Sequence, residues 1–408
     1  MPTQHRQLQY SSTVGSLGES PERVLNMGKH GFQLALIIWA LALPFTAWSQ
    51  VPIAGVTAKT ILIGQSTPLS GANKELGEDI RNGALAYFKK VNDAGGINGR
   101  TIELLSLDDA NDTARSGENG KELLANKGVL ALFGYASATL SRPALPFVEQ
   151  YKAPFFAPFT GADPMRKFNP YVYNVRASYA DELEKIVEYY FTTGSKRFAV
   201  VYYDDVVGKE NFSAVERALK KRGLTATAVT AFKDRAKPDI EGGVQEIAKG
   251  TPEVVILTTL FKASADFIRS GRKSGLNAQF VSNSFPGASP LAKELGKDGV
   301  GVAVAQVVPP PTRKSLPIVR EYQAAIEKLT GKKEYSFTAL EAYIAAKTLG
   351  EGIRRAGPRL SRASLAKALD TMQKWDAGEY FVNFSPSDHN GSTFVELTII
   401  GKDLQFSF

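Results

Sequence analysis

The sequence predicts an α/β protein of two lobes, each built on a parallel-type sheet with helices on both faces. Three observations lead there. From Thr60 onward, short apolar runs of strand character alternate with longer segments whose apolar residues recur at helical spacing. The alternation pauses near Tyr173 and then restarts. A chain of 408 residues, 43% hydrophobic and 22% charged, is long enough for two cores and has the balance of an ordinary globular protein.

Ile61-Leu62-Ile63, bounded by Gly64, reads as a buried first strand. A helix follows over 79–94 because Ile80, Ala84, Tyr87, Phe88 and Val91 share one face, and Gly95-Gly96 stops it. Next come a strand over 101–107, a helix over 113–126 and a strand over 129–133. A helix over 139–151 is interrupted early by Pro143 and Pro146, and a short strand covers 154–157. After the restart, helices over 179–191, 207–222, 239–249 and 263–274 alternate with strands over 198–202, 225–232, 254–258, 279–282 and 300–307. Pro309-Pro310-Pro311 ends this cadence, and helices over 316–329, 337–355 and 365–371 precede strands over 380–383 and 393–400. Crossings near 173–177, 308–311 and 383–386 divide the chain into lobe one, 57–175 with 310–382, and lobe two, 176–309 with 383–408.

Composition narrows the function. The absence of cysteine excludes thiol catalysis, thiolate metal sites and disulfides. Of the three histidines, His5, His30 and His389, the first two fall in a segment that reads as removable. One imidazole gives a Ser-His-Asp triad or a histidine metal cluster little to work with, so no metal and no cofactor are expected. Lys+Arg 49 against Asp+Glu 41 leaves +8, spread without a basic block, so no nucleic-acid partner is expected. At the N-terminus, Lys29-His30 precedes an apolar run over 34–43, then Pro44 and Ala47-Trp48-Ser49. That is signal-peptide anatomy with cleavage near Ser49/Gln50, the alternative being an uncleaved anchor; a membrane span needs about 20 apolar residues. Residues 1–49 are thus an N-terminal extension plus signal peptide, with 1–26 either a long n-region or sequence upstream of a start at Met27.

Three loops leave strand ends on the side where open α/β sheets hold ligands. Residues 64–71 lack the Gly-Lys-Ser/Thr ending of a phosphate loop. Gly134-Tyr135-Ala136-Ser137-Ala138-Thr139 joins a strand to a helix with hydroxyls at the helix start, which serves either as an N-cap or as an anion site. Thr160-Gly161-Ala162 follows the strand at 154–157.

Gly64 to Gly71, Gly77, Gly83-Ala84, the 92–99 turn, Asp108-Asp109, Phe133-Gly134, Pro154 to Ala162 and Val201 to Gly208 together resemble the leucine/isoleucine/valine-binding type of periplasmic solute-binding protein. The resemblance spans nearly the whole mature chain. It implies two Rossmann-like lobes joined by a three-crossing hinge, a periplasmic location, and delivery of a small ligand to the permease subunits of an ABC importer. A monomeric receptor without enzymatic activity is expected. It also implies that the ligand carboxylate is clamped by the loops holding Ser137, Ala138 or Thr139 and Thr160, Gly161 and Ala162. Leu76, between the first strand and its helix, joins the implied set.

The departures bear on the ligand. The places of a loop disulfide found in many relatives hold Asn111 and Ser137. The places of the second-lobe tyrosines and amine-pairing carboxylate hold Val207, Leu260 and Ser284. Without that anion an apolar or aromatic carboxylate, or an amide, competes with an α-amino acid. Phe261 and Phe285, with Tyr202 and Tyr203, are candidates for lining such a pocket or for the core. The first lobe is therefore expected to anchor a polar head and the second, too apolar to fix a charge, to read the remainder. The competing readings are an exported sensor of the same fold and an α/β hydrolase-type enzyme, for which the chain lacks a Gly-x-Ser-x-Gly elbow.

Overall fold

Two separate sheets organise the chain, which a computed structural model describes over residues 54–285 and 287–407. The apolar run over 34–43 and the cleavage region near Ser49 lie outside the described residues. The first sheet holds β1 (Thr60–Thr67), β2 (Thr101–Asp108), β3 (Ala131–Phe133), β4 (Phe155–Phe156) and β5 (Val172–Tyr173) in the order β2-β1-β3-β4-β5, all parallel. Its helices are α1 (Lys74–Asp93), α2 (Thr113–Lys121), α3 (Ser137–Ser141) and α4 (Leu145–Gln150). Pro143 and Pro146 break the segment after β3 into α3, a 3-10 turn and α4, and α2 ends in a π-turn over Glu122–Asn126.

The second sheet holds β6 (Phe198–Tyr203), β7 (Ala228–Phe232), β8 (Val254–Leu257), β9 (Gln279–Ser282) and β10 (Ala303–Gln306), mutually parallel. Their helices are α5 (Tyr179–Thr192), α6 (Val206–Lys220), α7 (Ile240–Lys249), α8 (Phe261–Lys273) and α9 (Ala288–Leu295). After β10 come α10 (Pro317–Thr330) and α11 (Phe337–Ala356), which pack against α1, and α12 (Arg362–Asp370), which packs against α11. The strand pair β11 (Trp375–Asp376) and β12 (Phe381–Val382) follows. The chain then returns to the second sheet as β13 (Glu396–Ile400) and β14 (Phe406–Ser407), where the parallel expectation needs correcting. β13, returning after the long excursion, runs antiparallel to β10, and β14 runs antiparallel to β13 because the short turn between these two allows only a hairpin.

The chain thus passes between the sheets three times, and the passages are tied together. Asn174 N–H donates to His389 O at 2.8 Å and Gly391 N–H to Asn174 O at 2.7 Å, joining the first passage to the third. The Tyr380 hydroxyl lies 3.3 Å from Val175 O and 3.2 Å from Val307 O, joining first to second. No described helix is long and apolar enough to cross a membrane.

The order of each sheet fixes where a crevice opens. In the first, β1 has β2 on one side and β3 on the other; in the second, β6 lies between β7 and β8. Connections leave in opposite directions at these switch points, which separates the loops at the strand C-termini. Asp108, at the end of β2, holds the loop after β1. It accepts from Leu69 N–H and Ala110 N–H, both at 2.8 Å, and from the Ser70 hydroxyl at 2.6 Å. Burial works to raise its pKa, but these donors outweigh it and hold the carboxyl at about 2. A depressed folded value means stability present above the ordinary carboxylate pKa and lost as pH falls towards 2. Asp108→Ala should cost about 1.5–3 kcal/mol at pH 7 by urea unfolding, and the gap to wild type should narrow as pH falls from 4 to 2.

Candidate functional site

Between the strand C-termini of the two sheets lies a cleft of about 400 Å³, a size suited to a small organic molecule. The turn after β3 supplies Ser137, Ala138 and Thr139, the loop after β4 supplies Thr160 and Ala162, and α1 supplies Leu76. From the other side come Val207 in the first turn of α6, Phe261 at the start of α8, and Ser284 and Phe285 after β9. Leu260 and Asn111 line it as well.

Ser137 adopts φ +63, a region costly for a residue with a Cβ, after Gly134 at φ +64. Its N–H donates to Phe159 O at 3.1 Å, tying the two first-lobe loops together. Its hydroxyl oxygen accepts from Leu140 N–H at 3.3 Å, as a capping side chain does. Thr160 is 1% exposed, and its hydroxyl oxygen accepts from Ala162 N–H at 3.1 Å.

Gly161 does not line the cleft. A Cβ there would sit 2.6 Å from Tyr179 N, so a glycine lets the start of α5 press against this loop. Tyr202 and Tyr203 do not line it either. Tyr202 stacks on Phe212 at 4.9 Å, and the Tyr203 hydroxyl, inside the second lobe, accepts from Leu260 N–H. Ser284 is on the cleft but already engaged. Its hydroxyl donates to Glu182 at 2.8 Å and accepts from Arg176, while its N–H donates to Glu182 at 2.6 Å.

Sequence reasoning missed the charged groups of the cleft, Glu75, Asp79, Arg176, Arg235 and Glu341, of which the last three matter most to its interior. Arg176 lies in the first passage between the sheets with 8% of its side chain exposed. It pairs with Glu182 of α5 at 3.0 Å and with Glu341 of α11 at 3.5 Å, and its guanidinium lies 5.5 Å over the Tyr179 ring. Burial works against its charge, but Glu341 and Glu182 more than compensate and raise its pKa. Burial raises both carboxyls, with Arg176 opposing. Arg235, after β7, lies 2.7 Å from Asp205 and 4.6 Å over the Tyr203 ring. The expectation of a second-lobe face too apolar to fix a charge is therefore corrected. These residues escape local pattern because Arg176 and Glu341 meet across 165 positions of chain.

His389 is 4% exposed, stacks on Tyr173 at 4.0 Å and lies 3.1 Å from Asp370, in the third passage rather than on the cleft. Among the described residues, no group of three or more His, Cys, Asp or Glu side chains is placed to hold a metal ion.

Two parallel-stranded lobes around a cleft define a type I binding-protein fold. Residues 60–400 match the profile of the periplasmic binding protein family, and the chain belongs to that family. A substrate-binding periplasmic protein from Ralstonia solanacearum is 32% identical, with a TM-score of 0.76, over 85% of this chain and 99% of that one. A structure from Rhodopirellula baltica, described as a possible leucine/isoleucine/valine-binding protein, is 30% identical with a TM-score of 0.77, over 88% and 98%. A Leu/Ile/Val-binding protein homolog from Brucella abortus is 25% identical over 81% of this chain and 85% of its own.

Proposed function

We propose that this protein is an exported solute receptor that binds a small polar organic ligand, an amino acid or a related carboxylate or amide, and delivers it to an ABC permease. The observation that carries the reading is the cleft itself, lined from both lobes at the switch points of both sheets. Ligand contacts to both lobes favour a closed form by differential affinity, and the three passages act as the hinge. The lobes comprise 57–175 with 310–382 and 176–309 with 383–408. The signal peptide directs the chain to the periplasm, where it acts as a monomer, and the ligand leaves unchanged. In support of a non-catalytic role, the one histidine of the mature chain is packed away from the cleft.

Ser137, Thr139 and Thr160 anchor the polar head of the ligand, and Leu76, Val207, Phe261 and Phe285 pack its remainder. Ala138 and Ala162 leave room between them. A hydrogen bond to a charged group is worth about 1.5–3 kcal/mol, so Thr160→Ala should weaken binding about 10- to 150-fold in isothermal titration. Acids should suffer more than their amides. Equal losses for both would remove the hydroxyl from the anchoring role.

A further inference from the structure

The charges of the cleft do not balance. Glu75 pairs with Lys293, Arg235 pairs with Asp205, and Asp79 accepts from the Ser336 hydroxyl at 2.6 Å. The Arg176 cluster has one guanidinium and two carboxylates, of which Glu182 is saturated by Arg176 and by two donors from Ser284. Glu341 is left with one contact, to Arg176 Nη1 at 3.5 Å, the outer limit of a hydrogen bond. Its side chain is 12% exposed, the cleft is what it opens on, and no other described residue donates to it. Two enclosed carboxylates sharing one guanidinium leave Glu341, the more distant of the two, short of a full counter-charge.

We infer that Glu341 is the group of the cleft that accepts a cationic nitrogen of the solute, so that the site selects ligands bearing a protonated amine or guanidine over their nitrogen-free analogues. This rests on the reading of the cleft as a solute site and narrows it. A carboxylate on the first lobe then takes the role for which the second lobe offers Val207, Leu260 and Ser284. Like Ser284 it contacts the Arg176 guanidinium, so a bound ammonium would balance the surplus negative charge of the cluster.

The test is a matched thermal-shift and titration panel. Each set shares one carbon skeleton: L-leucine, 4-methylpentanoate, 4-methylpentanamide and 3-methylbutylamine, with parallel sets on phenylalanine, lysine and arginine. Wild type should bind nitrogen-cation members best. Glu341→Gln should weaken these about 10- to 150-fold and leave the nitrogen-free acids within about two-fold. Glu341→Asp, which keeps the charge, should retain the preference. The ligand-free melting temperature of Glu341→Gln should be unchanged or higher, because the Arg176–Glu182 pair is then balanced; a purely structural Glu341 would make it fall. If wild type prefers nitrogen-free members, or Glu341→Gln keeps the wild-type order, the inference fails while the receptor reading stands. If wild type binds no member of any set, the receptor reading falls and takes the inference with it.

Discussion

Arg176→Ala should lower the free energy of unfolding by about 3–5 kcal/mol at neutral pH, the cost of breaking a buried ion pair from one side. Arg176 is the sole counter-charge of Glu182, which is fully buried on α5 and is not relieved by solvent. Removing the guanidinium leaves two enclosed carboxylates and frees the Ser284 hydroxyl from one partner. The penalty should depend on pH in a stated direction. Burial already raises the Glu182 pKa against the pull of Arg176, and without that pull it rises further. A carboxyl whose folded value is raised contributes stability that is lost as pH rises through that value. The variant should therefore be least stable relative to wild type at alkaline pH and recover part of the deficit as pH is lowered. Urea unfolding at several pH values measures this, and a deficit independent of pH would mean that Glu182 is not the group left exposed to the loss.

Thr139→Trp should abolish ligand binding, by at least about 100-fold, while changing stability by no more than about 0.5 kcal/mol. Thr139 is exposed yet lines the cleft, so an indole there occupies ligand space without entering a core. With about 400 Å³ available, the added rings take a large share of the volume and remove the hydroxyl as well. Titration against the solute with the largest thermal shift, paired with a urea melt, separates the two effects. Binding retained within ten-fold would place the ligand away from the α3 turn.

What the sequence showed and what it hid follow from the range of the interactions involved. Strands such as Gln279–Ser282 and helices such as Tyr179–Thr192 are set by local apolar spacing and stood out plainly. α9, whose first turn contains Pro290, read as loop, and two-residue strands such as β5, β11 and β14 are too short to carry a period. The candidate residues on strand-end loops were legible because a resemblance placed them there; Gly161, in the same motif, also serves the packing of Tyr179. The Arg176–Glu182–Glu341 cluster could not be read, since a lone arginine in an extended passage and two glutamates on helices have no spacing in common. Its only sequence trace is an arginine within Tyr173–Ala177, an unusual charge to place where the chain passes between two cores.

The central claim is that a solute sits between the lobes, and hydrogen exchange with and without the tightest-binding solute tests it most directly. The account predicts slowed exchange of amides at 137–140 and 159–162 on one side of the cleft and at 284–285 and 287–289 on the other. The passage at 176–179 should slow with them, and the outer faces of α7 and α12 should exchange as before. Slowing confined to one lobe, or located outside these segments, would contradict it.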